Sequence, residues 1–152
     1  MRAALAAAAA HSGTQLRCLE EDTLLTLGGI EAQLFAPEDT AGEHSLAAVV
    51  SLGDYDMLVT GDMSRTKERA LLAQHPLEGI ELYIVGHHGS RYASSEELLR
   101  SIGADTAIIS CGYNTYGHPE AETLERLAAC GYTVYRTDEN GTVEIRIGRD
   151  HG

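Results

Sequence analysis

From Ile30 to Phe35 apolar and polar side chains alternate, the period-two pattern of a strand with one buried face. Thr23-Leu24-Leu25-Thr26-Leu27 precedes it across Gly28-Gly29, so the two runs predict a β-hairpin. Further strands are expected over Ser45 to Leu52 and, after a Gly53-Asp54 turn, over Asp56 to Thr60, closed by Gly61-Asp62. Leu82 to Val85, Thr106 to Ser110 and Tyr132 to Tyr135 are short apolar runs of strand length. Gln15 to Leu19 also reads as a short strand. Asn140-Gly141 sits at the centre of a predicted hairpin turn, with Thr142 to Ile147 as the last strand.

Helical segments fall between these runs. Ala3 to Ala10 predicts a helix ended by Ser12-Gly13. Ser64 is placed to cap a helix from Arg65 to Gln74. Ser94 or Ser95 caps another through Leu98-Leu99 to Ile102, with Glu97 as its capping-box partner. Pro119 begins a helix that runs to about Cys130 and stops at Gly131. Pro37 to Glu43 has no apolar period and reads as a loop. Hairpins in the first third thus give way to strand–helix alternation, which predicts a mixed α/β layer architecture.

The chain has 152 residues with 43% hydrophobic and 22% charged side chains, a globular balance. No apolar run approaches the roughly 18 residues of a membrane span. The alanine run after Met1 reads as helix, the alternative being a signal peptide. The net charge of −12 repels phosphate backbones unless a basic groove or a metal intervenes, so a stand-alone nucleic-acid binder is disfavoured. Cys18, Cys111 and Cys130 are odd in number and form no C-x-x-C pair, so buried free thiols are expected.

Three polar clusters follow predicted strands: Thr60-Gly61-Asp62, Gly86-His87-His88-Gly89-Ser90, and Asn114-Thr115-Tyr116-Gly117-His118-Pro119. Strand ends in layered α/β folds bring side chains from distant sequence into one crevice. Aspartate and histidine there suit a zinc or manganese centre, since a carboxylate bridges two ions and imidazole is a common ligand. Each cluster also has a plain reading. Asp62 could simply end a strand and cap a helix, His87 and His88 could be a polar turn, and Asn114 to Pro119 could be a loop entering a helix. No P-loop, G-x-G-x-x-G, H-E-x-x-H or C-x-x-C zinc pattern is present.

In order along the chain, Met57-Leu58-Val59-Thr60-Gly61-Asp62, Ile84-Val85-Gly86-His87-His88-Gly89-Ser90, Ile108-Ile109-Ser110-Cys111-Gly112-Tyr113-Asn114-Thr115-Tyr116-Gly117-His118-Pro119 and Tyr135-Arg136-Thr137-Asp138-Glu139-Asn140-Gly141 resemble one family. It is the metallo-β-lactamase-like domain at the C-terminal end of ComEC-type DNA-uptake proteins, and the resemblance covers about residues 15 to 147. It implies half of an αββα metallo-β-lactamase fold, a mixed sheet with flanking helices in a single partial domain over 1–152. It implies Asp62, His87 and His44 as metal ligands, and His88 and His118 as catalytic groups. Ser90, Asn114 and Tyr116 would face the substrate. The family's H-x-H-x-D-H motif is absent from these residues.

Zinc or manganese is therefore expected in the complete domain, and weakly or not at all in this chain, because two or three ligands are too few for a tight site. DNA or another phosphodiester is the implied substrate of the parent, at the bacterial cell membrane. No membrane contact is expected from this segment. The missing N-terminal half and a second copy of the chain are its implied partners, because an uncovered sheet face tends to find a cover. Three functions compete: a segment of a metal-dependent hydrolase, inactive alone; a metal-free structural or interaction module; and a small hydrolase completed by dimerisation.

Overall fold

The computed structural model describes residues 2–36 and 45–148. Its elements are α1 (Arg2–Ser12), β1 (Thr23–Leu27), β2 (Ile30–Phe35), β3 (Ala47–Leu52), β4 (Tyr55–Val59), α2 (Arg65–Gln74), β5 (Leu82–Ile84), a 3-10 turn (Gly86–Gly89), α3 (Glu96–Ile102), β6 (Thr106–Ile109), α4 (Ala121–Ala129), β7 (Thr133–Arg136) and α5 (Thr137–Asn140). The seven strands form one sheet in chain order. β1 to β4 pair antiparallel and β4 to β7 parallel. This is the mixed α/β fold expected from the sequence.

Topology decides where the helices go. The three parallel crossovers each advance one strand in the same direction, and such crossovers share one hand. α2, α3 and α4 therefore line one face of the sheet, with α3 touching both α2 and α4. Leu58, Tyr83, Ala107 and Ile109 point into this layer and are fully buried with Leu98, Leu99, Ile102 and Leu127. Side chains alternate along a strand, so their neighbours occupy the second face. The registers align Val50 with Met57, Val59 with Ile84, and Ile84 with Ile108 and Tyr135. These residues are apolar, yet the first five are only half-buried and Tyr135 is 40% exposed.

Five expectations are corrected. Residues 15–19 join no strand of the sheet; Leu16 stands exposed there, and so does Cys18, which is therefore not the buried thiol expected, while Cys111 and Cys130 are half-buried. The hairpin at Asn140-Gly141 and the strand over 142–147 are absent among the described residues. The chain instead closes one helical turn, because the Asn140 side chain accepts a 2.8 Å bond from the Arg136 amide. α4 starts at Ala121 with Glu120 as N-cap, not at Pro119. The Glu120 amide is already committed to the Gly89 carbonyl at 2.9 Å, which holds the chain extended there. Ser95 caps α3 by accepting from the Leu98 amide, while Glu97 pairs with Arg69 at 2.6 Å instead of closing a capping box.

Candidate functional site

The turn Gly86-His87-His88-Gly89 follows β5 at the carboxyl end of the parallel strands. His87 (φ 49°, ψ 42°) and His88 (φ 54°, ψ 26°) are both left-handed, a conformation costing a non-glycine residue roughly 1–2 kcal/mol. Consecutive strain of this kind persists only where surroundings enforce it. Here the His87 amide donates to the Gly61 carbonyl at 2.9 Å, the Ser90 amide to the His87 carbonyl at 3.0 Å, and His88 Nδ1 to the Ser110 carbonyl at 2.7 Å. A carbonyl only accepts, so Nδ1 of His88 carries the proton, and in the neutral ring Nε2 is left as acceptor or ligand.

The flanking glycines are steric requirements. A Cβ on Gly86 would lie 2.8 Å from Thr60 Oγ1, and one on Gly89 would lie 2.6 Å from Pro119 Cβ. The histidine pair is thereby pressed between the end of β4 and the segment entering α4.

A buried polar relay holds this turn from below. The Tyr83 hydroxyl hydrogen-bonds Ser94 Oγ at 2.8 Å and Thr60 Oγ1 at 3.2 Å, and accepts from the Gly86 amide at 3.2 Å. Burial first, and the Glu68 charge second, push the Tyr83 phenol up to about 12, so it stays a neutral donor. The Glu68 carboxylate, fully buried on α2, accepts from the amides of Ser94 and Ser95 at 2.6 and 2.7 Å. None of Glu68, Tyr83 or Ser94 emerged from the sequence as part of the site. The available signal was Glu68 itself, an acid three positions before Leu71 on the buried stripe of α2.

The third cluster closes the groove. Asn114 Nδ2 donates to the carbonyls of Gly112 and His118 at 2.9 and 2.6 Å, and its Oδ1 accepts from the Tyr116 and His118 amides at 3.1 Å. Asn114 therefore shapes the loop. The His118 ring stands 5.5 Å from His87, edge to face, with Tyr116 6.3 Å away and the Glu120 carboxylate 3.8 Å from Nε2. Glu120 is held below the usual carboxylate range, chiefly by the Arg91 amide and then by its guanidinium. His88, Cys111, Tyr113, Asn114, Tyr116 and His118 line a groove of about 300 Å³. Tyr113 and Tyr116 are almost wholly exposed; Tyr113 was not singled out in the sequence. At the groove's back, burial first raises the Cys111 thiol, which donates to Asp138 at 3.0 Å. Arg136 first, and that thiol second, hold Asp138 down to about 2.

Of the sequence-predicted residues, the fold thus gathers His87, His88, Asn114, Tyr116 and His118. Asp62 is exposed, one residue beyond the carbonyl that accepts the His87 amide. Ser90 is buried at 2% exposure and is absent from the groove lining; its hydroxyl accepts from the Tyr92 amide. His44 lies outside the described residues. Among the described residues no three His, Cys, Asp or Glu converge closely enough to hold a metal ion. No helix among them is long and apolar enough to cross a membrane.

Residues 7–113 match the family model described as the Metallo-beta-lactamase superfamily. The chain is 31% identical over 144 residues to ComE operon protein 3 of Bacillus subtilis (strain 168), covering 91% of this chain and 19% of that protein. It is 32% identical over 131 residues to Competence protein ComA of Neisseria gonorrhoeae, covering 80% of this chain and 18% of that protein. Recombination protein 2 of Haemophilus influenzae is 32% identical over 127 residues, with coverage of 80% and 16%. The chain thus spans less than a fifth of the length of these relatives.

Proposed function

Because this chain belongs to the metallo-beta-lactamase superfamily and its relatives include competence proteins, we propose that it is the C-terminal half of a metal-dependent phosphodiesterase domain in a DNA-uptake protein. The observation that carries this reading is the 2.9 Å bond from the His87 amide to the Gly61 carbonyl, which sets the Asp62 and His87 backbones side by side at the strand ends. Those two side chains, with His44, are the ligands this half would contribute to zinc or manganese. The described residues do not by themselves fit a closed metal site, because no three donors converge. The remaining ligands then come from an N-terminal half bearing H-x-H-x-D-H, a motif these 152 residues lack.

The chain's own residues have assignable tasks. Hydrogen-bonded at Nδ1, His88 keeps Nε2 for a substrate oxygen or its proton. His118, close to His87 and oriented by Asn114 and Glu120, serves as the second acid–base group. Tyr116 and Tyr113 offer exposed ring faces on which nucleobases can stack. The apolar second face of the sheet is the surface the N-terminal half would cover. In its absence two copies cover one another.

A metal-free interaction module with the same fold is the second reading, favoured by the lack of a three-donor cluster among the described residues. One experiment separates them. A labelled single-stranded oligonucleotide is incubated with manganese and the chain alone, or with the chain plus the H-x-H-x-D-H half of a relative. We expect cleavage only in the mixture, and its loss with Asp62→Asn. Cleavage by the chain alone points to a site completed by dimerisation, and no cleavage in either sample favours the interaction module. Sedimentation of the same chain-alone sample is expected to show self-association, and a monomer at high concentration contradicts the mutual cover.

A further inference from the structure

A second basin lies on the helical layer, and it shares no lining residue with the histidine groove. It encloses about 470 Å³ and gathers Arg65, Arg69, Arg100 and Arg126 from α2, α3 and α4. The whole chain has 11 Lys and Arg against 23 Asp and Glu, so four cations around one cavity run against its overall charge.

The arginines fall into two pairs. Arg69 and Arg100 sit at the rim, 61% and 63% exposed, and each is held by a neighbouring carboxylate: Glu97 at 2.6 Å and Glu96 at 2.7 Å. Arg65 and Arg126 lie deeper and make no salt bridge among the described residues. Arg126 donates to the carbonyls of Ser94 and Ala93 and to Thr123 Oγ1 at 2.6, 3.0 and 3.2 Å; burial first and the Arg65 charge second lower its proton affinity, against the smaller pull of the Glu68 and Glu122 charges. Arg65 donates from Nη2 to the Arg91 carbonyl, but its Nε is buried and finds no acceptor among the described residues. Two guanidinium groups that repel one another, one with a buried unspent donor, are costly as they stand. An oxyanion with several acceptor oxygens, seated among the guanidinium heads, offsets that repulsion, and guanidinium forks match phosphate geometry.

We propose that this basin is a binding site for a phosphate group, held by Arg65 and Arg126 and drawn in by Arg69 and Arg100. Glu96 and Glu97 compete with the ligand for the rim arginines and set its affinity. The site is independent of the hydrolase reading, since no residue of the histidine groove takes part.

Orthophosphate titrated calorimetrically into the full chain at low ionic strength is expected to bind at one site per chain. Removing the competing carboxylates with Glu96→Gln and Glu97→Gln together is expected to tighten binding about fivefold, and Arg69→Gln with Arg100→Gln to weaken it about tenfold. All four positions are exposed, so the fold tolerates these changes. An oligothymidylate followed by fluorescence anisotropy distinguishes the source. If both ligands follow the variants, the basin reads the backbone of a strand; if only orthophosphate does, it takes a free phosphate. Absence of saturable phosphate binding, or affinity indifferent to both double variants, overturns the assignment.

Discussion

Replacing Glu68 with alanine is expected to destabilise the chain by about 3–5 kcal/mol, the range for removing one member of a buried charged network. The side chain is fully buried and accepts from two backbone amides. Alanine leaves both Ser94 and Ser95 N–H groups without a partner, and each buried orphan donor costs roughly 1–3 kcal/mol. It also removes the carboxylate whose charge favours the protonated, partly buried Arg126. The damage reaches the site, because Ser94 holds Tyr83 and Tyr83 holds the Gly86 amide. Glu68→Gln keeps an acceptor and is expected to lose about half as much. Urea unfolding measures both, and a cost below about 1 kcal/mol for Glu68→Ala contradicts this role.

Gly89→Ala is expected to cost roughly 2–5 kcal/mol, from overpacking plus a left-handed backbone that alanine adopts poorly. The new Cβ would meet Pro119 Cβ at 2.6 Å and its Cα at 3.0 Å, with φ at +83°. These neighbours are a rigid ring and main chain, so relief requires moving the entry to α4 away from the turn. That motion separates His118 from His87, whose rings stand 5.5 Å apart. Gly131→Ala is the control. Its φ of +87° carries the same backbone penalty, but nothing lies within 4 Å of its Cβ. The difference between the two variants in thermal midpoint reads the steric contact alone, and equal midpoints mean the contact is not tight.

The pattern of apolar positions gave the sheet almost whole, because each strand carries its own local signal. The Gly28-Gly29 hairpin and the parallel strands β4 to β7 lie within a residue or two of their expected bounds. Failures came where a long-range or side-chain contact outweighed local preference. Asn140-Gly141 has hairpin chemistry, but the Asn140 side chain turns back onto Arg136. Residues 15–19 have strand composition yet join no strand of the sheet. At the site, the histidines and the 114–118 loop were visible as motifs. The Glu68–Ser94–Tyr83–Thr60 relay was not, since it joins residues up to 26 positions apart through hydrogen bonds that leave no spacing signature.

Metal content tests the central claim most directly: that Asp62 and His87 are two donors of a site completed by residues outside the described ones. The chain alone, and the chain joined to the H-x-H-x-D-H half of a relative, are each loaded with manganese, passed through chelator and analysed by mass spectrometry of the eluted metal. The chain alone is expected to retain far less than one ion. The joined protein is expected to retain stoichiometric metal and to lose it with Asp62→Asn or His87→Asn. Chelator-resistant, stoichiometric metal in the chain alone, or full retention in both variants of the joined protein, contradicts the claim.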